Sequence, residues 1–278
     1  AGVGIASTTT LKIYNYDDYL NNHQSDATFN YAAKNPGTWS NTLKVCTIDD
    51  FADQRIGIST NNLALAGATV GFAVTANIDG AIIPGIGTTG GFTGFLKGII
   101  TGVSTDSTNS NSTIDVKITD RMSVIGGITS YFPIDYAEGN SITAYTTSSA
   151  VQFLNNSGVT TGHSVDAAYT PASVKDWYDE QTLNLKNSTT YWKTIAPRPT
   201  TSNFVSERKG KNDGIHVVVV DDEGRVTGIK GNIIEKHINL SKAKDTVSAV
   251  NPPQKVYYKD YIALYSENIY AGINPSNA

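Results

Sequence analysis

The sequence predicts an α+β fold whose centre is almost purely β. Three observations carry this. Charge is unevenly spread: residues 1–56 hold 10 charged residues, residues 57–168 also hold 10 in twice the length, and residues 169–278 hold 26. Glycine runs the other way, with 16 of its 25 copies between Gly57 and Gly162. The central block is a series of short runs rich in Val, Ile, Thr and aromatics, cut by Gly, Asn, Ser and Asp clusters, which is the pattern of strands and turns. Composition shifts of this size mark domain junctions. They divide the chain into residues 1–54, 55–168 and 169–278. A chain of 278 residues can hold two cores.

The elements follow in order. In the first block, Ala33 to Val45 reads AKNPGTWSNTLKV and leads into a strand over Leu43 to Ile48. Cys46, the only cysteine, lies in that strand and is expected to be a buried structural thiol. The central block gives strands over Thr69 to Ala76, Gly98 to Val103, Thr113 to Ile118, Ser141 to Thr146 and Ala150 to Leu154. Thr113 to Ile118 alternates, with Ile114, Val116 and Ile118 on one face and Thr113, Asp115 and Lys117 on the other, which predicts a half-buried strand. Ser107 to Ser112 reads as a solvated loop. Regular strand spacing with few helical signals predicts a small barrel or sandwich.

In the last block Thr170-Pro171 is a helix start, Thr170 as cap and Pro171 in the first turn. Val174, Trp177, Tyr178 and Gln181 follow at helical spacing. Ile215 to Val220 contains four consecutive valines and fits a strand buried on both faces. Asp221-Asp222-Glu223-Gly224 is read as the turn, with Gly224 at positive φ. Arg225 to Ile229 is then the returning strand, and Gly231 breaks the line before a third strand, Ile233 to Leu240. Pro252-Pro253 interrupts the chain. Tyr257, Tyr261, Leu264 and Tyr265 form one face of a helix, and Ile269 to Ile273 could be a last strand.

The stretch from Ile195 to Asp245 and the segment Ala33 to Val45 together resemble the sheath protein of contractile-tailed bacteriophages. In that family a proline-glycine, an aromatic and a Gly-Asn lead into a strand. Pro36, Gly37, Trp39 and Asn41 match, while Ser40 stands where glycine is common, so this position is expected not to need positive φ. The matching regions cover roughly the first 50 residues and the last 110. The resemblance implies that residues 1–54 and 169–278 form one discontinuous α/β sheath domain and that 55–168 is an inserted β-rich outer domain. It implies a structural subunit that polymerises with other sheath subunits into a helical tube of stacked rings. Its partners would be the inner tail tube protein and the baseplate and tail terminator proteins. Contraction would drive the tube through the host envelope, so the protein would be made in the host cytoplasm and reside in the virion tail. The family's N-terminal arm and large C-terminal domain are not recognisable. With a start at Ala1, this predicts a fragment that does not assemble by itself.

No residue set promises chemistry: no catalytic, cofactor or metal residues are expected. Gly85 to Gly90 matches G-x-G-x-x-G, yet Gly91-Phe92-Thr93-Gly94-Phe95 will not open the helix that a dinucleotide site requires. His23, His163, His216 and His237 lack metal-ligand spacing, and His216 is expected to be a hydrogen-bonded core histidine. His163, Ser164 and Asp166 are triad residue types without a nucleophile elbow. Asp221, Asp222 and Glu223 lack the further ligands of a calcium loop and read as a solvated hairpin tip. Glu207, Arg208, Lys209 and Lys211 read as a solvated loop or an ion-pairing contact. Asn111 and Asn187 head chance glycosylation sequons.

Charge balance excludes a general nucleic-acid binder, because the net is −4. No apolar run approaches the ~18 residues of a membrane span, so neither nucleic acid nor membrane insertion is expected. The start AGVGIASTTT has no basic n-region or long apolar h-region, so no secretory signal is expected. A second reading comes from the inserted block. A Thr-, Asn- and Gly-rich β domain with Phe92, Phe95, Tyr131, Phe132 and Tyr145 could be a glycan-binding module of a virion surface protein, if these rings are exposed rather than core.

Overall fold

The computed structural model describes residues 11–26, 28–35, 37–79, 93–106, 111–125, 128–132, 151–154, 160–164 and 174–272. The expected strand at Ser141 to Thr146, the helix start at Thr170-Pro171 and the loop residues 107–110 lie outside them. The fold is mixed, mostly strands with few short helices. It is built from several antiparallel sheets, one of them a curled half-barrel. The chain divides into two compact units, one of Ala1–Asp50 with Thr182–Ala278, the other of Phe51–Gln181.

The first unit opens with a short helical segment, α1 (Tyr16–Asp18), capped by the Asn15 side chain and continued by a π turn through His23. Strand β1 (Tyr31–Ala33) follows. A 3₁₀ turn over Thr38–Thr42 then leads into β2 (Leu43–Asp49). Gly37 has φ 149°, and a Cβ there would meet the Trp39 ring at 2.7 Å, so glycine is required before this tryptophan. Ser40 lies inside the 3₁₀ turn and is not a positive-φ residue.

The second unit is one sheet. Its strands are β3 (Gln54–Ser59), β4 (Ala73–Asp79), β5 (Thr93–Asp106), β6 (Asn111–Ile125), β7 (Ile128–Phe132), β8 (Val151–Leu154), β9 (Thr160–Ser164) and β10 (Val174–Asp176), with helix α2 (Thr60–Ala66) after β3. The order is β10-β3-β6-β5-β4-β8-β9, with β7 also on β6. Ile114, Val116 and Ile118 of β6 are buried, as their alternation requires. The opposite face is not left to solvent. Arg55 grips Asp115 through two hydrogen bonds of 2.7 and 2.9 Å, and Lys117 is buried with its Nζ 3.1 Å from the buried Asp53. Gly98 sits at a register shift where a Cβ would meet the Lys117 carbonyl oxygen at 2.8 Å, the close backbone approach that a strand glycine permits.

Three sequence expectations are corrected here. The strand expected from Thr69 starts only at Ala73, because Gly71, at φ 91°, turns the chain and donates to the Ile100 carbonyl. Asn111 and Ser112, expected in a loop, begin β6. Val174 to Gln181 is not helical. Val174, Lys175 and Asp176 pair with Ile56, Arg55 and Gln54, and the Trp177 N–H donates to Asp53. Asp176 Oδ1 then accepts from the Tyr178 N–H at 2.8 Å and Tyr178–Glu180 closes as a 3₁₀ turn. The open side of β3 outweighs a local helix preference worth only tenths of a kcal/mol per residue.

The chain returns to the first unit through the hairpin β11 (Thr182–Asn184) and β12 (Thr189–Tyr191), then α3 (Trp192–Ile195) and α4 (Asn203–Glu207). Strand β13 (Gly214–Asp221) is buried at every position. It lies between β2 and β14 (Asn232–Ser241), antiparallel to both. Helix α5 (Tyr258–Tyr265) and β15 (Ile269–Ala271) complete the unit, with β15 paired to β1. Ile215, Val217 and Val219 pack with Leu240, Tyr258, Ile262, Ile269 and Ala271 in one core cluster. The helix near Tyr257 exists, but its buried face differs from the expected one. Tyr258 and Ile262, one turn apart, point into the core, whereas Leu264 and Tyr265 are about half exposed. Tyr257 precedes the helix as its cap, which rotates the buried stripe by one position.

Candidate functional site

The most organised polar feature of the first unit is the connection between β13 and β14, residues 222–231. The sequence reading placed a returning strand at Arg225 to Ile229. Instead these residues form successive turns, and the returning strand is β14 itself. Asp221 is the cause. It is fully buried, and its Oδ1 accepts the Arg225 N–H at 2.8 Å. Its Oδ2 accepts the Val226 N–H at 2.9 Å, the Thr227 N–H at 2.7 Å and the Thr227 hydroxyl at 2.9 Å. The Gly231 N–H donates to the Asp221 carbonyl at 2.8 Å. Gly224, Gly228 and Gly231 supply positive φ at the bends. Asp221 is therefore not part of a solvated tip. Burial alone would raise its pKa, but the donors from Thr227, Val226 and Arg225 outweigh burial and hold it below the usual carboxylate value. At the rim, Lys186 Nζ donates to Glu223 Oε1 at 2.5 Å, and Lys230 lies 3.8 Å from the same carboxylate.

A second cluster joins residue types that sequence spacing did not connect. Glu235 of β14 accepts from Ser266 Oγ at 2.6 Å, from the Glu267 and Asn268 N–H groups at 2.9 and 3.1 Å, and from Asn268 Nδ2 at 2.7 Å. His237 Nε2 lies 2.8 Å from the same carboxylate. Ser, His and Glu thus meet, but both the serine and the histidine bond to the carboxylate. Ser266 Oγ in turn accepts from the Asn268 and Ile269 N–H groups. A hydrolase triad needs the histidine between the other two, taking the serine proton. This arrangement instead fastens the end of α5 to β14. Burial opposes the Glu235 charge, yet His237, Ser266, Asn268 and Glu267 bring its pKa down to about 2. The thirty residues between Glu235 and Ser266 hid the cluster, since no local motif links them.

His216 takes the hydrogen-bonded core position expected of it. Its Nε2 donates to the Pro197 carbonyl at 2.7 Å and its Nδ1 accepts from the Asn239 N–H at 3.0 Å. A protonated ring would set a donor against the Asn239 donor, and burial further lowers the pKa, against smaller raising effects of backbone bonds. The folded pKa lies below the unfolded value, so this contribution to stability is complete above about pH 6.5 and is lost as pH falls below that toward the folded pKa. One such group gives a slope of at most about 1.4 kcal/mol per pH unit. The ¹⁵N shifts of His216 are expected to report an Nε2–H tautomer and a titration midpoint below the ordinary histidine value. A ring that titrates with a midpoint at the ordinary value would contradict this.

The other candidates scatter. His23 lies 3.7 Å from both Asp18 and Asp26. Cys46 is a free thiol that is only half-buried, with its pKa raised mainly by burial. Arg208 stacks on the Phe204 ring at 3.5 Å, and Lys209 takes positive φ in the exposed loop after α4. His163 and Ser164 are in β9, Phe95 in β5, and Tyr131 and Phe132 in β7, while Asn111 begins β6 and Asn187 precedes β12. Gly85 to Gly90, Phe92, Tyr145 and Asp166 lie outside the described residues. Among the described residues no group of three His, Cys, Asp or Glu side chains could hold a metal ion, and no helix is long and apolar enough to cross a membrane. Comparison with protein-family models, with curated proteins and with solved structures gives no match.

Proposed function

We propose that the chain is part of a contractile tail sheath subunit, in which the first unit is a rigid assembly element and the second an outer module. The supporting observation is the pairing of β2 with β13. The segment through Gly37 and Trp39 and the four-valine segment are the two sequence features that resemble sheath proteins. They lie far apart in the chain, yet β2, into which the first leads, runs antiparallel beside the four-valine strand in register from Leu43 opposite Asp221 to Asp49 opposite Ile215. A fully buried strand fixed on both edges resists shear, and a machine whose subunits move as nearly rigid bodies needs such stiff parts. Among the described residues β2 has no strand on its outer edge and β14 is bridged there at Ser241 by Tyr257, which leaves edge to which a strand from a neighbouring subunit can add. Antibodies raised against this chain are expected to decorate the whole length of extended phage tails at a regular spacing. Label confined to the tail tip or capsid would contradict the proposal and favour an adhesion module.

A further inference from the structure

We propose that Lys117 and Asp53 of the second unit condense to an isopeptide bond, a covalent staple between β6 and the residue just before β3. The proposal stands on the geometry of this unit and is independent of the sheath reading. Lys117 is 6% and Asp53 0% exposed, and the lysine Nζ lies 3.1 Å from Asp53 Oδ1. Asp53 is fixed at three points. Its N–H donates to the Val116 carbonyl at 2.8 Å, its carbonyl accepts from the Trp177 N–H at 3.0 Å, and its Oδ2 accepts from the Ile118 N–H at 2.7 Å. The neighbouring Arg55–Asp115 pair, on the same two strands, is part-exposed and stays an ion pair, because a guanidinium does not give up its proton.

Burial makes a separated ammonium and carboxylate costly. Passing one proton along the Lys117–Asp53 hydrogen bond leaves an amine and a carboxylic acid, the two reactants of amide formation. The Lys117 nitrogen then adds to Asp53 Cγ, forming the new bond, and the carbonyl electron pair moves onto Oδ2. The Ile118 N–H already points at that oxygen and stabilises the charge that develops there. The Oδ1 hydroxyl takes a second proton from the nitrogen and leaves as water while the carbonyl at Oδ2 re-forms. An ammonium and a carboxylate thus become one amide and one water, and no further reactant is needed. Holding the two groups in contact removes the entropic cost that slows the same condensation between free molecules. The amide carries no charge, so burial favours it over the ion pair. The bond joins residues 64 positions apart and restricts the unfolded chain as a disulfide does.

Mass spectrometry of the folded 278-residue chain, incubated to constant mass and then denatured, tests the bond directly. The intact chain is expected to be lighter than its sequence by one water. Trypsin is expected to release a branched peptide in which residues 45–55 are joined to residues 98–121, because an acylated Lys117 no longer offers trypsin a cation. Lys117→Arg keeps a cation but removes the nucleophile, and this variant is expected to have its full sequence mass. Where the arginine variant does not fold, the peptide map of the parent decides. A folded parent at full mass, with both peptides linear, would overturn the proposal and leave an ordinary buried ion pair. Water loss that maps to Asp79-Gly80 or Asp213-Gly214, where a cyclic imide has the same mass, would overturn it too, as would water loss that persists in Lys117→Arg.

Discussion

Replacing Asp221 by alanine is expected to lower the stability of the first unit by about 2–4 kcal/mol. The carboxylate is fully buried and takes four hydrogen bonds, three from backbone N–H groups of the following connection. Bonds to a charged group contribute about 1.5–3 kcal/mol each, and an orphaned donor costs about 1–3 kcal/mol. The connection is exposed, so water recovers part of the loss, and the sum of the single terms is an overestimate. Asp221→Asn keeps the shape and one acceptor oxygen and is expected to cost about half as much. Because the folded carboxyl lies below its ordinary pKa, its contribution is complete above about pH 4 and declines as pH falls through the folded value. Urea unfolding at pH 7 measures the first effect. An alanine variant within a few tenths of a kcal/mol of the parent would mean that the connection is not organised by Asp221.

Excision of residues 51–181, with a short Gly-Ser linker in their place, is expected to leave the first unit folded. Its two parts are already joined by seven registered pairs between β2 and β13 and three between β1 and β15. The Trp177 N–H also donates to the Asp53 carbonyl at 3.0 Å, which puts the departing and returning chain beside each other. A short linker therefore closes β2 onto β13 without a larger entropic cost than the present insert. The shortened protein is expected to unfold in one cooperative transition and to keep slow amide exchange at Val217 to Val220. The same excision in a complete subunit is expected to leave assembly intact. Loss of the transition in the shortened chain would show that the first unit depends on the second. Loss of all assembly would show that the second unit is not a dispensable outer module.

These expectations rest on features that differ in how far the sequence reveals them. Strand β13 was legible because six consecutive apolar or semi-apolar residues fit only a strand covered on both faces. The positive φ of Gly224 was legible from its place after three acidic residues. The returning strand was not, because Arg225 to Ile229 alternates acceptably as a strand and nothing local shows that Asp221 will capture its N–H groups. Val174 to Gln181 has helical spacing, but β3 offered an unpaired edge that only the fold could reveal. The helix at Tyr258–Tyr265 was found and its face misjudged, since Leu264 and Tyr265 are as apolar as the residues that are buried. Glu235, His237 and Ser266 were invisible as a group for the same reason as the β3–β10 pairing: the partners are distant in sequence and are brought together by sheet register and helix position.

The most direct test of the sheath proposal is negative-stain electron microscopy of the complete subunit of which this chain is proposed to be part, with the 278-residue chain alone alongside. Striated tubes from the complete subunit and single particles from the chain alone are the predicted result. Well-folded complete subunits that form no tubes would contradict the account and would move the weight to a glycan-binding module.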